Sequence, residues 1–190
     1  MKRFVVLLMV IPLLAPISFP RHQIPHSTRV LSSGPSRRSQ SRSGKDVPES
    51  CPVTKTPARP FTPPSPYPSK TSPDSFWYGT ARLWTSLPAN GTWRGLPHYT
   101  LGDPTFRQKL FYWRQGYNLQ SESPPHLSVT GKRLDDSAPP LAADEANAGW
   151  QSDKEHPFIV TGVNFPTLGC WEVTGDYHGD KLTFVVWVAP

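Results

Sequence analysis

The sequence predicts an all-β domain over residues 74–190, an immunoglobulin-like or related antiparallel β-sandwich. A disordered N-terminal arm and a proline-rich strap precede it. Three observations carry the prediction. The last 21 residues, Cys170–Pro190, alternate as a terminal hairpin. Asn90-Gly91 stands between two apolar runs, the strongest short-range hairpin signal. Three β-branched segments, Val129-Thr130-Gly131, Val160-Thr161-Gly162 and Val173-Thr174-Gly175, each run into a glycine, where a bulge or a close backbone approach is expected.

Residues 1–19 read as a signal peptide or N-terminal anchor. Lys2-Arg3 precedes an apolar run from Phe4, the order of a secretory leader. Pro12 and Pro16 interrupt that run, and no clean small-x-small site precedes Phe19-Pro20. Residues 20–50 form a basic Ser/Arg/Pro arm with little to bury, so they predict disorder. Residues 51–73 hold eight of the 24 prolines, which favours an extended polyproline strap over a helix or central strand.

The formal charge of +6 does not belong to the domain. The first 45 residues carry 8 Lys/Arg and no acid; from residue 46 onward there are 12 Lys/Arg and 14 Asp/Glu. A basic nucleic-acid face on the domain is therefore not expected. Arg37, Arg38 and Arg42 could touch anionic headgroups or phosphates, but a solvated tail is the expectation, and any membrane association is expected through the leader.

Cys51 and Cys170, 119 positions apart, have neither zinc nor redox spacing. In an exported chain they predict one long-range disulfide. Closing such a loop stabilises by roughly 4–5 kcal/mol on the chain-entropy account. The expected location is extracytoplasmic.

Within the domain, Ala81–Pro88 and Thr92–Leu96 are expected to form a hairpin around Asn90-Gly91. The sequon Asn90-Gly91-Thr92 is accounted for by the turn. Asp103–Arg114 fits two patterns: a helix capped by Asp103-Pro104, or a strand from about Lys109 to Arg114, which the β context favours. Leu134–Asp153 reads as a long surface loop with a short helical turn near Ala142–Ala146. The final hairpin, turning at Gly179-Asp180, pairs Tyr177 with Leu182, Gly175 with Phe184, Val173 with Val186 and Trp171 with Val188. Its large apolar side chains then share one face, whereas a three-residue loop would split them. Cys170 and Trp187 fall on the other face, with Trp187 across from Glu172, where the strap is expected to dock.

Gly169-Cys-Trp-Glu-Val-Thr-Gly175, Val129-Thr-Gly-Lys-Arg-Leu-Asp135, Phe76-Trp-Tyr-Gly79 with Leu83-Trp84, and Cys51-Pro-Val-Thr54 are distinctive strings. They resemble those of a group of uncharacterised exported or lipoprotein-like bacterial proteins, over roughly residues 51–190. The resemblance implies location and β architecture. It implies no activity and no catalytic residues, and this chain lacks the lipid-attachment cysteine of the lipoprotein-like members.

No nucleophile elbow, zinc-protease helix, phosphate loop or dinucleotide fingerprint is present. His98, His126, His156 and His178 are scattered without metal-site spacing, and the acidic residues fall in loops, so neither a metal nor another cofactor is expected. The aromatic rings are the functional candidates, because Trp and Tyr stack on sugars and proline. Trp187, Trp150 and Trp113 make the candidate ligand platform. The expected function is non-catalytic, a binding or structural role at the cell envelope with a glycan or a protein as partner. A carbohydrate- or peptidoglycan-binding module using these rings is the alternative, and a loop-built metal or enzyme site ranks below it.

Overall fold

The computed structural model describes residues 47–149 and 156–190, all within one compact unit, Ser41–Pro190. The leader, the arm up to residue 46 and Trp150 lie outside the described residues. The described residues form ten strands: β1 (Ser75–Thr80), β2 (Leu83–Pro88), β3 (Thr92–Arg94), β4 (Phe106–Trp113), β5 (Leu127–Arg133), β6 (Ala142–Ala143), β7 (Asn147–Gly149), β8 (Phe158–Phe165), β9 (Gly169–Tyr177) and β10 (Asp180–Ala189). No helix occurs among the described residues. The first sheet runs β1-β2-β4-β8-β6, with β7 also on β8; the second runs β3-β10-β9-β5. Every pairing is antiparallel except β3 on β10.

The two sheets enclose a core because their strands alternate. β2 sends Leu83 and Leu87 inward, β4 sends Leu110 and Tyr112, and β8 sends Ile159, Val163 and Phe165. Trp171, Val173 and Tyr177 from β9 and Leu182, Phe184, Val186 and Val188 from β10 meet them. The expected face assignment of the last hairpin holds, but its pairing moves by two residues. The turn is His178-Gly179, both at positive φ (55° and 90°). Tyr177 therefore pairs with Asp180, Val173 with Phe184, Trp171 with Val186, and Trp187 with Cys170 rather than Glu172. A two-residue slip preserves parity, so every side chain keeps its face.

The Asn90-Gly91 segment is a corner, not a hairpin. β2 and β3 lie in different sheets, and β3 runs parallel to β10. Asn90 Oδ1 accepts the Thr92 N–H at 3.0 Å, and Gly91, at φ 67°, presses against Val53. The first hairpin instead closes at Ala81-Arg82, where Thr80 pairs with Leu83. The segment around 104–114 is a strand, because Leu110 and Tyr112 must face the core while Phe111 and Trp113 face away. The loop after Leu134 contains two short strands, β6 and β7, instead of a helical turn; both pair with β8.

The three Val-Thr-Gly segments are places of close approach. A Cβ on Gly131 would collide with Leu141, and one on Gly162 with the Arg107 guanidinium. On Gly175 it would stand 2.7 Å from the Tyr112 ring, where that side chain crosses from the facing sheet. Two of the distinctive strings, Val129–Asp135 and Gly169–Gly175, also converge. β5 pairs β9, Lys132 Nζ meets Glu172 Oε1 at 3.1 Å, and Asp135 accepts the Cys170 N–H at 3.0 Å. They build the framework of the second sheet.

Candidate functional site

The strap determines which surfaces are open. It has no regular structure, yet it is fixed at both ends. Cys51 bonds to Cys170 with Cα atoms 5.6 Å apart. Three residues on, the Thr54 N–H donates to Val185 O at 2.8 Å, and the Val185 N–H donates to Thr54 Oγ1 at 2.9 Å. Val47, Cys51 and Val53 pack with Cys170, Val185 and Trp187 on the outer face of the second sheet. The chain then passes to the outer face of the first sheet. There Phe61 and Tyr67 pack on Trp84, with ring centroids 5.6 and 5.0 Å away. The Trp77 indole N–H donates to Pro68 O at 3.0 Å, and the Tyr67 hydroxyl donates to Arg114 O at 3.3 Å. Burial raises the Tyr67 pKa, opposed by the Arg114 charge, so this hydroxyl keeps the proton it donates.

This path settles where the predicted site residues stand. Trp113 is 9% exposed and sits edge-on to Trp77 at 5.0 Å, with Phe158 beside it. Trp187 is half-buried against Cys51 and Val53, and its indole N–H is buried without an acceptor. The two rings lie on outer faces of different sheets. With Trp150 outside the described residues, Trp113 and Trp187 do not form one platform. The strap docks on the Trp187 face through its beginning alone, and its aromatic half covers Trp84 instead.

The open surface lies beside β1. Two clefts of about 460 and 420 Å³ flank this strand and share Phe61 and Trp77. The first includes Pro60, Lys70 and Phe76; the second includes Pro57, Arg59, Gly79 and Leu182. β1 is an edge strand. Asp74 O accepts the Ala89 N–H from the β2 side, whereas the Ser75 N–H donates outward to Ser72 O. Antiparallel strands alternate the direction of their backbone groups, so Trp77 and Gly79 also direct theirs outward, into the clefts. Among the described residues no backbone hydrogen bond from the strap reaches either one.

The contrast with β10 is informative. Its edge is closed at Thr183 O by the Tyr78 hydroxyl (3.1 Å), at Val185 by Thr54, and at Trp187–Ala189 by β3. β1 is six residues long, Ser-Phe-Trp-Tyr-Gly-Thr, with no charge and no proline. Edges of that kind accept a further strand unless something blocks them. An uncharged aromatic strand directly after a proline-rich segment was the sequence signal for this site, but neither feature shows that the strand is an edge.

The ionised groups elsewhere serve structure. Glu122 accepts from Arg114 Nη1 at 2.8 Å, the Tyr177 hydroxyl at 2.7 Å and the Asn118 N–H at 2.8 Å. Burial acts to raise the Glu122 pKa, but these donors and the Arg114 charge outweigh it and hold the carboxyl below its ordinary value. Burial and the neighbouring Glu122 push Tyr177 in the opposite direction, upward. Both shifts keep the pair as carboxylate and neutral phenol. Among the described residues no group of three or more His, Cys, Asp or Glu is placed to hold a metal ion. No protein-family model, curated protein or solved structure matches the chain.

Proposed function

We propose that this chain is a non-catalytic, exported β-sandwich protein of the cell envelope that holds an extended polypeptide partner along β1. The observation carrying this reading is the outward backbone of Trp77 and Gly79, set in clefts lined by Phe61 and by Leu182. A strand added there gains main-chain hydrogen bonds, and the clefts take alternate side chains. Arg59 and Lys70 rim the clefts, so the partner segment carries acidic residues beside its apolar ones. The chain's own first 45 residues, with 8 basic groups and no acid, match the sign of that rim and are disfavoured as its occupant. The buried Cys51–Cys170 disulfide supports an oxidising, extracytoplasmic setting.

The experiment is selection from a library of extended peptides in which apolar residues alternate with Asp or Glu, followed by amide exchange. Selected peptides should slow exchange at Trp77 and Gly79 and lose affinity for the R59E/K70E variant. Enrichment indifferent to that double substitution, or unchanged exchange at both amides, would refute the reading.

A further inference from the structure

The described histidines divide into two kinds. His98 Nδ1 lies 2.9 Å from Thr105 O, and His156 Nε2 lies 2.6 Å from Pro66 O. Each of these rings is engaged by a backbone carbonyl. His126 and His178 are exposed, and no hydrogen bond from the described residues occupies either ring. The two rings meet edge-on, with centroids 5.7 Å apart and planes at 70°.

The strand register produces this pairing. β5 and β9 match Leu127 to Tyr177, so one step beyond the ladder sets His126 opposite His178. His178 is also the one described non-glycine residue at positive φ, at 55°. It opens a two-residue turn whose first position asparagine or glycine fills most readily. Backbone held in a sparsely populated region, with an imidazole directed at a second imidazole, is the pattern from which a site is inferred.

We propose that His126 and His178 form a two-imidazole site for a borderline transition-metal cation, Cu²⁺ or Zn²⁺. Imidazole nitrogen is a preferred ligand of both ions. With metal–nitrogen bonds of about 2.0–2.1 Å, two rings on one ion place their centroids roughly 4.5–6.4 Å apart. The observed separation lies inside that range. Glu122 lies within electrostatic range of His178, so a carboxylate adds long-range attraction for a cation. Its oxygens already accept from Arg114, Tyr177 and Asn118. Water therefore completes the coordination, and the site is an open one.

The test is a Cu²⁺ titration of the full chain, read by electron paramagnetic resonance. A saturable site with hyperfine coupling to two imidazole nitrogens is expected. H126A and H178N should each abolish the two-nitrogen signal. Asparagine suits the turn, so H178N keeps the fold, which the thermal midpoint reports. H22A/H26A controls for the two histidines of the arm and should leave the signal intact. In the unsubstituted chain, Zn²⁺ should selectively shift the ring resonances of His126 and His178, a readout needing no variant. A copper spectrum and affinity unchanged in H126A and H178N, or absence of two-nitrogen coordination in the unsubstituted chain, would overturn the proposal.

Discussion

Thr54 and Val185 exchange two hydrogen bonds, N–H to carbonyl at 2.8 Å and N–H to hydroxyl at 2.9 Å. One threonine thus stands in for a missing strand neighbour of β10. The arrangement closes the edge just before β3 takes over at Trp187. Thr54→Val keeps the shape and the main-chain donor but leaves the Val185 N–H without its acceptor. A loss of about 1–2 kcal/mol is expected, the cost of an unsatisfied donor in a partly covered position. Urea unfolding reads the loss, and amide exchange at Val185 should accelerate with it.

The disulfide holds the same segment from the other side. Replacing both cysteines with serine removes a cross-link between positions 119 apart. Equilibrium unfolding should show a loss of roughly 3–5 kcal/mol. Val47, Cys51 and Val53 cover Trp187, so its emission, obtained by subtracting the W187F spectrum, should shift to the red. An unshifted Trp187 would mean that the Thr54 hydrogen bonds and Phe61–Tyr67 packing seat the strap without the cross-link.

Gly175 is constrained from across the sandwich. A Cβ there would meet Tyr112 Cε1 at 2.7 Å, and Tyr112 is fully buried. Gly175→Ala is expected to destabilise by about 1–3 kcal/mol, the usual cost of overpacking a filled core. The double variant with Tyr112→Phe should recover little, because the ring carbons make the collision. Thermal unfolding of the single and double variants distinguishes ring from hydroxyl.

Period-two alternation made the hairpin faces legible: Leu182, Phe184, Val186 and Val188 had to share a face with Trp171 and Val173. It could not place the turn, because a shift of two residues leaves every side chain on its face. His178 in the left-handed region, where glycine or asparagine is the ordinary choice, concealed the true turn. Asn90-Gly91 announced a reversal but not that the chain would change sheets there. Proline content revealed that residues 51–73 are extended. Their path depends on Phe61 and Tyr67 meeting Trp84, a long-range contact with no periodic signature. The open edge of β1 was hidden for the same reason, since strand order is set by pairing between distant segments.

Asp135 gives the fold a definite acid sensitivity. Burial acts to raise its pKa, but hydrogen bonds from Arg133 Nε at 2.8 Å and the Cys170 N–H at 3.0 Å, with the Arg133 charge, hold it below the ordinary carboxylate value. A group depressed in the folded state stabilises above its unfolded pKa, and that contribution is lost as pH falls through the folded one. Stability from Asp135 should therefore be fully present above about pH 4 and decline below it. Asp135→Asn removes the charge at every pH. The variant should be less stable than the unsubstituted protein near neutrality and show a shallower stability loss between about pH 4 and pH 2. Denaturant titrations at several pH values across that window measure both slopes. Parallel slopes would show that other carboxylates, Glu122 first among them, carry the acid response.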